Sequence, residues 1–291
     1  MLTYTLPDFT AGLRRNLVFL SLMRDHPEFF LPDVRVGSVY GCFPDCPLNG
    51  GRALVRPRYT TDQMDATFEA LGQFGVRPRL TFTNMLAGPE HLADPYVRAM
   101  IEVAVRHGAE VIVYADEVGD FVRDAYARRG VRCVRVLSTT REILDVGVLN
   151  EALACYDLVV LNYNLNKDHE FLAQVEHPER LEVMVNELCY PRCPYRAEHY
   201  RHNSQDQLDG VVRPYRRCDL SGVGFYEHAE ASPAILTVGE ARQLRERYGI
   251  ENYKIVGRGV DSGVTLESYL RYLVRPEHRD GLRQAMRAMQ G

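Results

Sequence analysis

Lysine is almost missing from this chain. Lys167 and Lys254 are the two lysines among 35 basic residues, and arginine supplies the rest. That bias reads first as a coding habit and only then as chemistry. An excess of positive charge is missing too, because the formal net charge is -4. No basic field favours nucleic acid, and no RNA-binding motif is present. Long apolar runs are lacking: nothing approaches the roughly 18 to 20 residues that a membrane helix needs. The stretch LVFLSLM (17–23) is too short for a signal core and runs straight into RDHPE. HExxH, a Ser/His/Asp order and a papain-like cysteine context are all absent, as is GxGxxG after the first strand pattern. The expected setting is a reducing cytoplasm, where clustered cysteines point to metal or redox chemistry more than to disulfides. No linker or low-complexity segment divides the chain, so a single domain over 1–291 is expected.

What is present suits a soluble globular protein with a sizeable core, at 46% hydrophobic and 25% charged residues. Eight short apolar runs read as strands: 34–41, 77–84, 110–116, 131–138, 158–164, 181–187, 234–238 and 253–259. Amphipathic helix patterns lie between them, several ending one residue before a glycine. Strands alternating with helices argue for a parallel sheet, and eight such units argue for an α/β fold of the (β/α)8 TIM-like barrel type. A doubly wound open sheet is the alternative. Between the strand patterns starting at 181 and 234 lies an irregular, Arg/Tyr/His-rich stretch, PYRAEHYRHNSQDQLDGVVRPYRRCDLSG. The barrel is thus expected to carry a long cysteine-bearing insertion after its sixth strand, and so long a connection points to function.

In such a barrel the C-terminal strand ends build the site. Each apolar run turns polar there, at Tyr40, Asn84, Asp116 with Glu117, Ser138 to Thr140, Asn162 to Asn164, Asn186 with Glu187, and Arg258. Glu187 and Glu117 are the acid–base or orienting candidates, with Asn84, Asn162 and Asn186 to position substrate. Arg258, set among glycines, and Tyr163 are the substrate-binding candidates, Arg258 as an anion clamp. The competing reading is that such residues simply cap the following helices.

Of seven cysteines, Cys133 and Cys155 fall inside regular patterns and read as core. The others stand out. CFPDCP (42–47) and CYPRCP (189–194) repeat one phrase, each just after a strand, and Cys218 closes the insertion. Gathered thiolates favour zinc or an iron–sulfur cluster, and the spacing alone does not separate them. His199 and His202 are further candidates as ligands or proton donors.

The phrase GIENYKIVGRG (249–259), followed by TLESYLRYL, resembles the C-terminal signature of the collagenase-like peptidase family, peptidase family thirty-two of unknown catalytic type. The family's usual Lys-Ile-Glu-Gly-Arg appears here with Val256 in place of the glutamate. VNELCYPRCP resembles its cysteine-bearing segment, and the likeness is best over 181–275. The resemblance implies a [4Fe–4S] cluster on Cys189, Cys193 and Cys218, with the fourth ligand Cys46 from the loop after the first strand pattern, or alternatively Cys42, a histidine or none. Relatives include the oxygen-independent hydroxylation proteins of ubiquinone biosynthesis and RNA-base hydroxylation enzymes, some of which work as heterodimers. The expectation is an iron–sulfur oxidoreductase, hydroxylase-like, acting on a small anionic or aromatic molecule. A zinc-dependent hydrolase or peptidase is the alternative, as is a non-catalytic iron–sulfur protein that docks a homologous partner.

Overall fold

The computed structural model describes residues 1–215, 232, 234–257 and 261–290. Its strands are β1 (Leu2–Pro7), β2 (Val34–Gly41), β3 (Arg77–Phe82), β4 (Glu110–Val113), β5 (Arg135–Leu137), β6 (Leu158–Val160), β7 (Leu181–Met184) and β8 (Asn252–Lys254). Every neighbouring pair is parallel, and β8 returns to β1 to close the barrel. The helices described are α1 (Leu13–Asp25), α2 (Thr61–Gly72), α3 (Pro95–Arg106), α4 (Asp116–Ala127), α5 (Val146–Cys155), α6 (His169–Leu172), α7 (Arg196–Asp209), α8 (Val238–Tyr248), α9 (Ser262–Leu273) and α10 (Arg279–Gln290). The TIM-like barrel expected from the alternating pattern is the fold observed.

The eight strands are not quite the eight expected. LTYTLP at the start forms β1, although it was not read as a strand. The apolar run at 234–238 is not a strand. Its apolar residues are buried beside β7, with Leu236 donating to the Val185 carbonyl, while Thr237 opens α8 through a capping box with Glu240. Burial without a ladder looks the same as a strand when only hydrophobicity is read. The cysteine-bearing stretch therefore follows β7, and residues 216–231 of it lie outside the described residues.

The alternation of strand side chains sorts the interior from the helix-facing shell. Leu2, Tyr4, Leu80, Val111, Val183 and Tyr253 belong to the large apolar cluster that packs the barrel against its helices. Inside, residues of six strands meet in a polar layer. The Thr5 hydroxyl donates to Glu182, Ser38 pairs with Thr5, and Arg79 bridges Glu110 and Glu182. Lys254 Nζ stands 4.0 Å from the second oxygen of Glu182. Two buried cations face two buried carboxylates in this layer, and Arg77 reaches Glu110 from the exposed side at 3.0 Å. Burial opposes the charge on Glu182, but Arg79 and then Lys254 hold its carboxyl below the usual value. Breaking such a buried pair costs about 3–5 kcal/mol, so the layer is a fixed floor. Two residues further along the strands, Tyr40, Ile112 and Met184 form the next tier, which is largely apolar.

Candidate active site

The repeated cysteine phrase folds twice into the same local shape. Asp45 and Arg192, each just before the second cysteine, take the left-handed conformation at φ 57° and 54°. In both copies the carbonyl of the second cysteine then accepts a turn hydrogen bond, from Asn49 in one and from Arg196 in the other. The prolines at 44, 47, 191 and 194 restrict φ where each turn begins, which accounts for the shared shape. The repeat is thus a turn code. The surroundings of the two copies differ. Cys42 and Cys46 are sealed in the apolar core, where Phe43 packs against Phe9 and Phe68 at 5.2 and 5.3 Å. Cys189 and Cys193 are only partly buried, at the barrel mouth, and the Tyr163 hydroxyl donates to the Tyr190 carbonyl between them.

The second copy leads directly into α7, which lies across the mouth. Its first residue, Arg196, is 5% exposed. The guanidinium donates to Glu142 Oε1 at 2.7 Å and to Glu187 Oε2 at 2.9 Å. It also lies over the rings of Tyr163 and Tyr200, at 4.5 and 4.8 Å from their centres. Further along, Asn84 donates to the carbonyls of Pro47 and Ser204, and Asn203 to that of Gly51. The Gln207 side-chain oxygen accepts from Asn49 and from the Leu54 amide. These bonds clasp α7 to the loop after β2. That loop is pressed onto the end of β3 so closely that a Cβ at Gly50 would fall 2.1 Å from the Thr83 carbonyl oxygen, which demands glycine.

Between this roof and the barrel lies a cavity of about 140 Å³. That is close to the size of an engineered cavity that takes up one benzene ring, about 150 Å³. Its floor is Tyr40, Thr81, Ile112, Met184 and Lys254, and its roof includes Arg52, Arg196, His199 and Asn203. Glu187, Cys189 and the hydroxyl residues Ser138 to Thr140 line the wall. The Thr139 hydroxyl is buried there and has no hydrogen-bond partner among the described residues.

The charges are set by α7. Burial would raise the Glu187 carboxyl, but Arg196 outweighs it and holds the group below its usual value, so Glu187 is ionised at neutral pH. Burial pushes the Cys189 thiol up to about 11, only partly offset by Arg196. Burial, with the charge of Arg52, brings His199 down to about 4. At neutral pH the cavity thus presents an uncharged imidazole and a protonated thiol. Lys254 Nζ lies 4.2 Å from the centre of the Tyr40 ring.

Of the residues singled out in the sequence, Tyr40, Ser138 to Thr140, Glu187, Cys189 and His199 line this cavity. Cys193 is near enough to add to the field at Cys189. The three amides serve the frame instead. Asn84 straps the roof, Asn162 caps the turn at Tyr163 while donating to Glu142, and Asn186 ties Val256 to Ser268. Glu117 is exposed in the first turn of α4, where a carboxylate suits the helix dipole. Tyr163 is buried beneath Arg196 and braces the cysteine loop. Cys155, expected in the core, is exposed at the end of α5, and Cys133 is partly buried. Cys46 sits in the apolar core, away from the cluster that packs with Cys189. Cys218 and Arg258 lie outside the described residues. Among the described residues no three His, Cys, Asp or Glu side chains gather as a metal shell.

Two features escaped the sequence reading. The stretch read as structureless contains α7, whose buried face is Arg196, Ser204, Asp206 and Gln207. A helix that docks through hydrogen bonds shows no apolar stripe, so periodicity misses it. Lys254 escaped as a site residue, although a lysine within an apolar strand of a lysine-poor chain was a visible signal.

No protein-family model matches the chain, and no curated protein sequence does. Among solved structures, the U32 peptidase Mk0906 is similar with a TM-score of 0.55 and 17% identity, covering 88% of this chain and 93% of that one. At that identity the likeness establishes a shared fold. A putative lyase/mutase from Burkholderia cenocepacia J2315 is more distant, with a TM-score of 0.35 and 11% identity over 86% of this chain and 92% of that one.

His199 sets a pH dependence. The unfolded imidazole takes up its proton near 6.5 and the folded one near 4, so the unfolded state binds more protons between those values. Stability is therefore expected to fall as pH drops from 6.5 towards 4, and H199Q should flatten that slope. Urea unfolding of both proteins at pH 7 and pH 5 checks this; equal losses on acidification would contradict it.

Proposed function

We propose that this chain is a barrel enzyme that binds a small anionic or aromatic molecule in the roofed cavity at its mouth. The observation that carries this reading is the cavity itself. It joins the C-terminal strand ends, where barrel enzymes work, to a buried cation, Lys254, and to the apolar side chains of Ile112 and Met184. The fold shared with a U32 peptidase agrees with the resemblance seen in the sequence around Lys254 and Cys189. Peptide cleavage has less support, because Glu187 is tied to Arg196. Benzoate, which combines both substrate features, is expected to bind. K254M should weaken it by about 10- to 100-fold, since hydrogen bonds to charged groups contribute roughly 1.5–3 kcal/mol. Calorimetry measures this. A folded protein that binds no benzoate, or a folded K254M that binds it equally well, would sink the reading.

A second reading, an oxygen-independent hydroxylase-like oxidoreductase, adds an iron–sulfur cluster at the rim. It is favoured by Cys189 and Cys193, which share the mouth. A cluster bound there would supply electron transfer. Of the four thiols proposed to hold one, Cys189 and Cys193 are both partly buried, Cys46 lies in the core, and Cys218 lies outside the described residues. Two thiols do not complete the set, so no chemical step is drawn through a cluster. Zinc would draw on the same pair. Protein prepared without air is expected to lose its iron and sulfide in C189S and C193S and keep them in C46A. Zinc in place of iron would favour a hydrolase, and equal loss in C46A would return that thiol to the ligand set.

A further inference from the structure

This chain writes arginine at nearly every basic position, so its two lysines are exceptions. Lys167 pairs with Glu240 at 2.7 Å on the surface. Lys254 is the last residue of β8, 8% exposed, on the floor of the mouth cavity. A guanidinium could fill that place as a cation, but it cannot give up a proton and bond to carbon as an amine can. We propose that Lys254 Nζ forms an imine with the carbonyl carbon of a small aldehyde or ketone held in the cavity. The proposal rests on the cavity being the substrate site, and it names the chemistry done there.

The surroundings suit that bond. One oxygen of Glu182 is taken by Arg79 and Thr5. The other faces Nζ at 4.0 Å and accepts no hydrogen bond among the described residues. It can therefore take a proton from the ammonium and return it. The freed amine attacks the carbonyl carbon to give a carbinolamine, and a second proton moves from nitrogen to the former carbonyl oxygen. That oxygen leaves as water with the proton returned from Glu182, and the C=N bond carries the positive charge. An ammonium and a carbonyl become an iminium and water, with nothing oxidised or reduced. The charge of the buried layer is the same before and after, so Glu182 and the Tyr40 ring face a cation at both ends of the reaction. No buried charge is stranded. Ile112 and Met184 leave room for a small apolar or aromatic group.

The test uses pyruvate and benzaldehyde as probes, each with sodium cyanoborohydride to trap the imine, followed by intact mass and peptide mapping. The expected result is one reduced adduct on Lys254, with Lys167 and the N-terminal amine unmodified. K254R keeps a cation and is expected to stay folded by circular dichroism, bind pyruvate and give no adduct. Binding of the probes to wild type by calorimetry without an adduct at Lys254 would overturn the imine and leave the cavity reading standing. An adduct spread over Lys167 and the N-terminus, or kept in K254R, would overturn it too. Absence of both binding and adduct would overturn the cavity reading and this inference together.

Discussion

One buried guanidinium turns the end of a barrel into a site. Arg196 reaches from the start of α7 to two carboxylates, Glu187 after β7 and Glu142 after β5, and rests on two tyrosine rings. Burying a cation is costly unless its donors are met, and here carboxylates and aromatic faces meet them. The consequence is positional. With Arg196 held, α7 can span the mouth and fasten to the loop after β2 through Asn84, Asn203 and Gln207. Without that span the strand ends would open to solvent, and neither Cys189 nor His199 would lie in a low-dielectric environment that shifts its titration.

The floor works by a different rule. Arg79, Glu110, Glu182 and Lys254 pair with one another inside the barrel, so the cavity rests on charges that are fixed. Lys254 belongs to both levels, lining the cavity and standing 4.0 Å from Glu182. Roof and floor are thus both ionic, and the space between them is lined by hydroxyls and apolar side chains. That combination suits a small molecule with a polar head.

Much of the fold was legible because a barrel repeats its signal. Seven of the expected strand segments coincide with strands, and the working face followed from where each turns polar. The misses share a cause. β1 and the run at 234–238 were confused because burial and strand pairing look alike in hydrophobicity, and α7 was hidden because its packing is polar. The site was only half legible. Tyr40, Glu187, Cys189 and His199 line the cavity, whereas Asn84, Asn162 and Asn186 make hydrogen bonds of the frame, since an amide after a strand serves a turn as readily as a substrate. The repeated cysteine phrase has a local structural meaning of its own. It encodes a turn shape, and the surroundings alone decide whether its thiols are sealed in the core, as Cys46 is, or set at the mouth, as Cys189 is.

The dependence on Arg196 is open to direct measurement by hydrogen exchange on R196M. The account predicts that amides of α7 lose protection while those of β3 and β4 keep theirs, because the roof is released and the barrel is not. Undiminished protection across α7 in a folded R196M protein would contradict it.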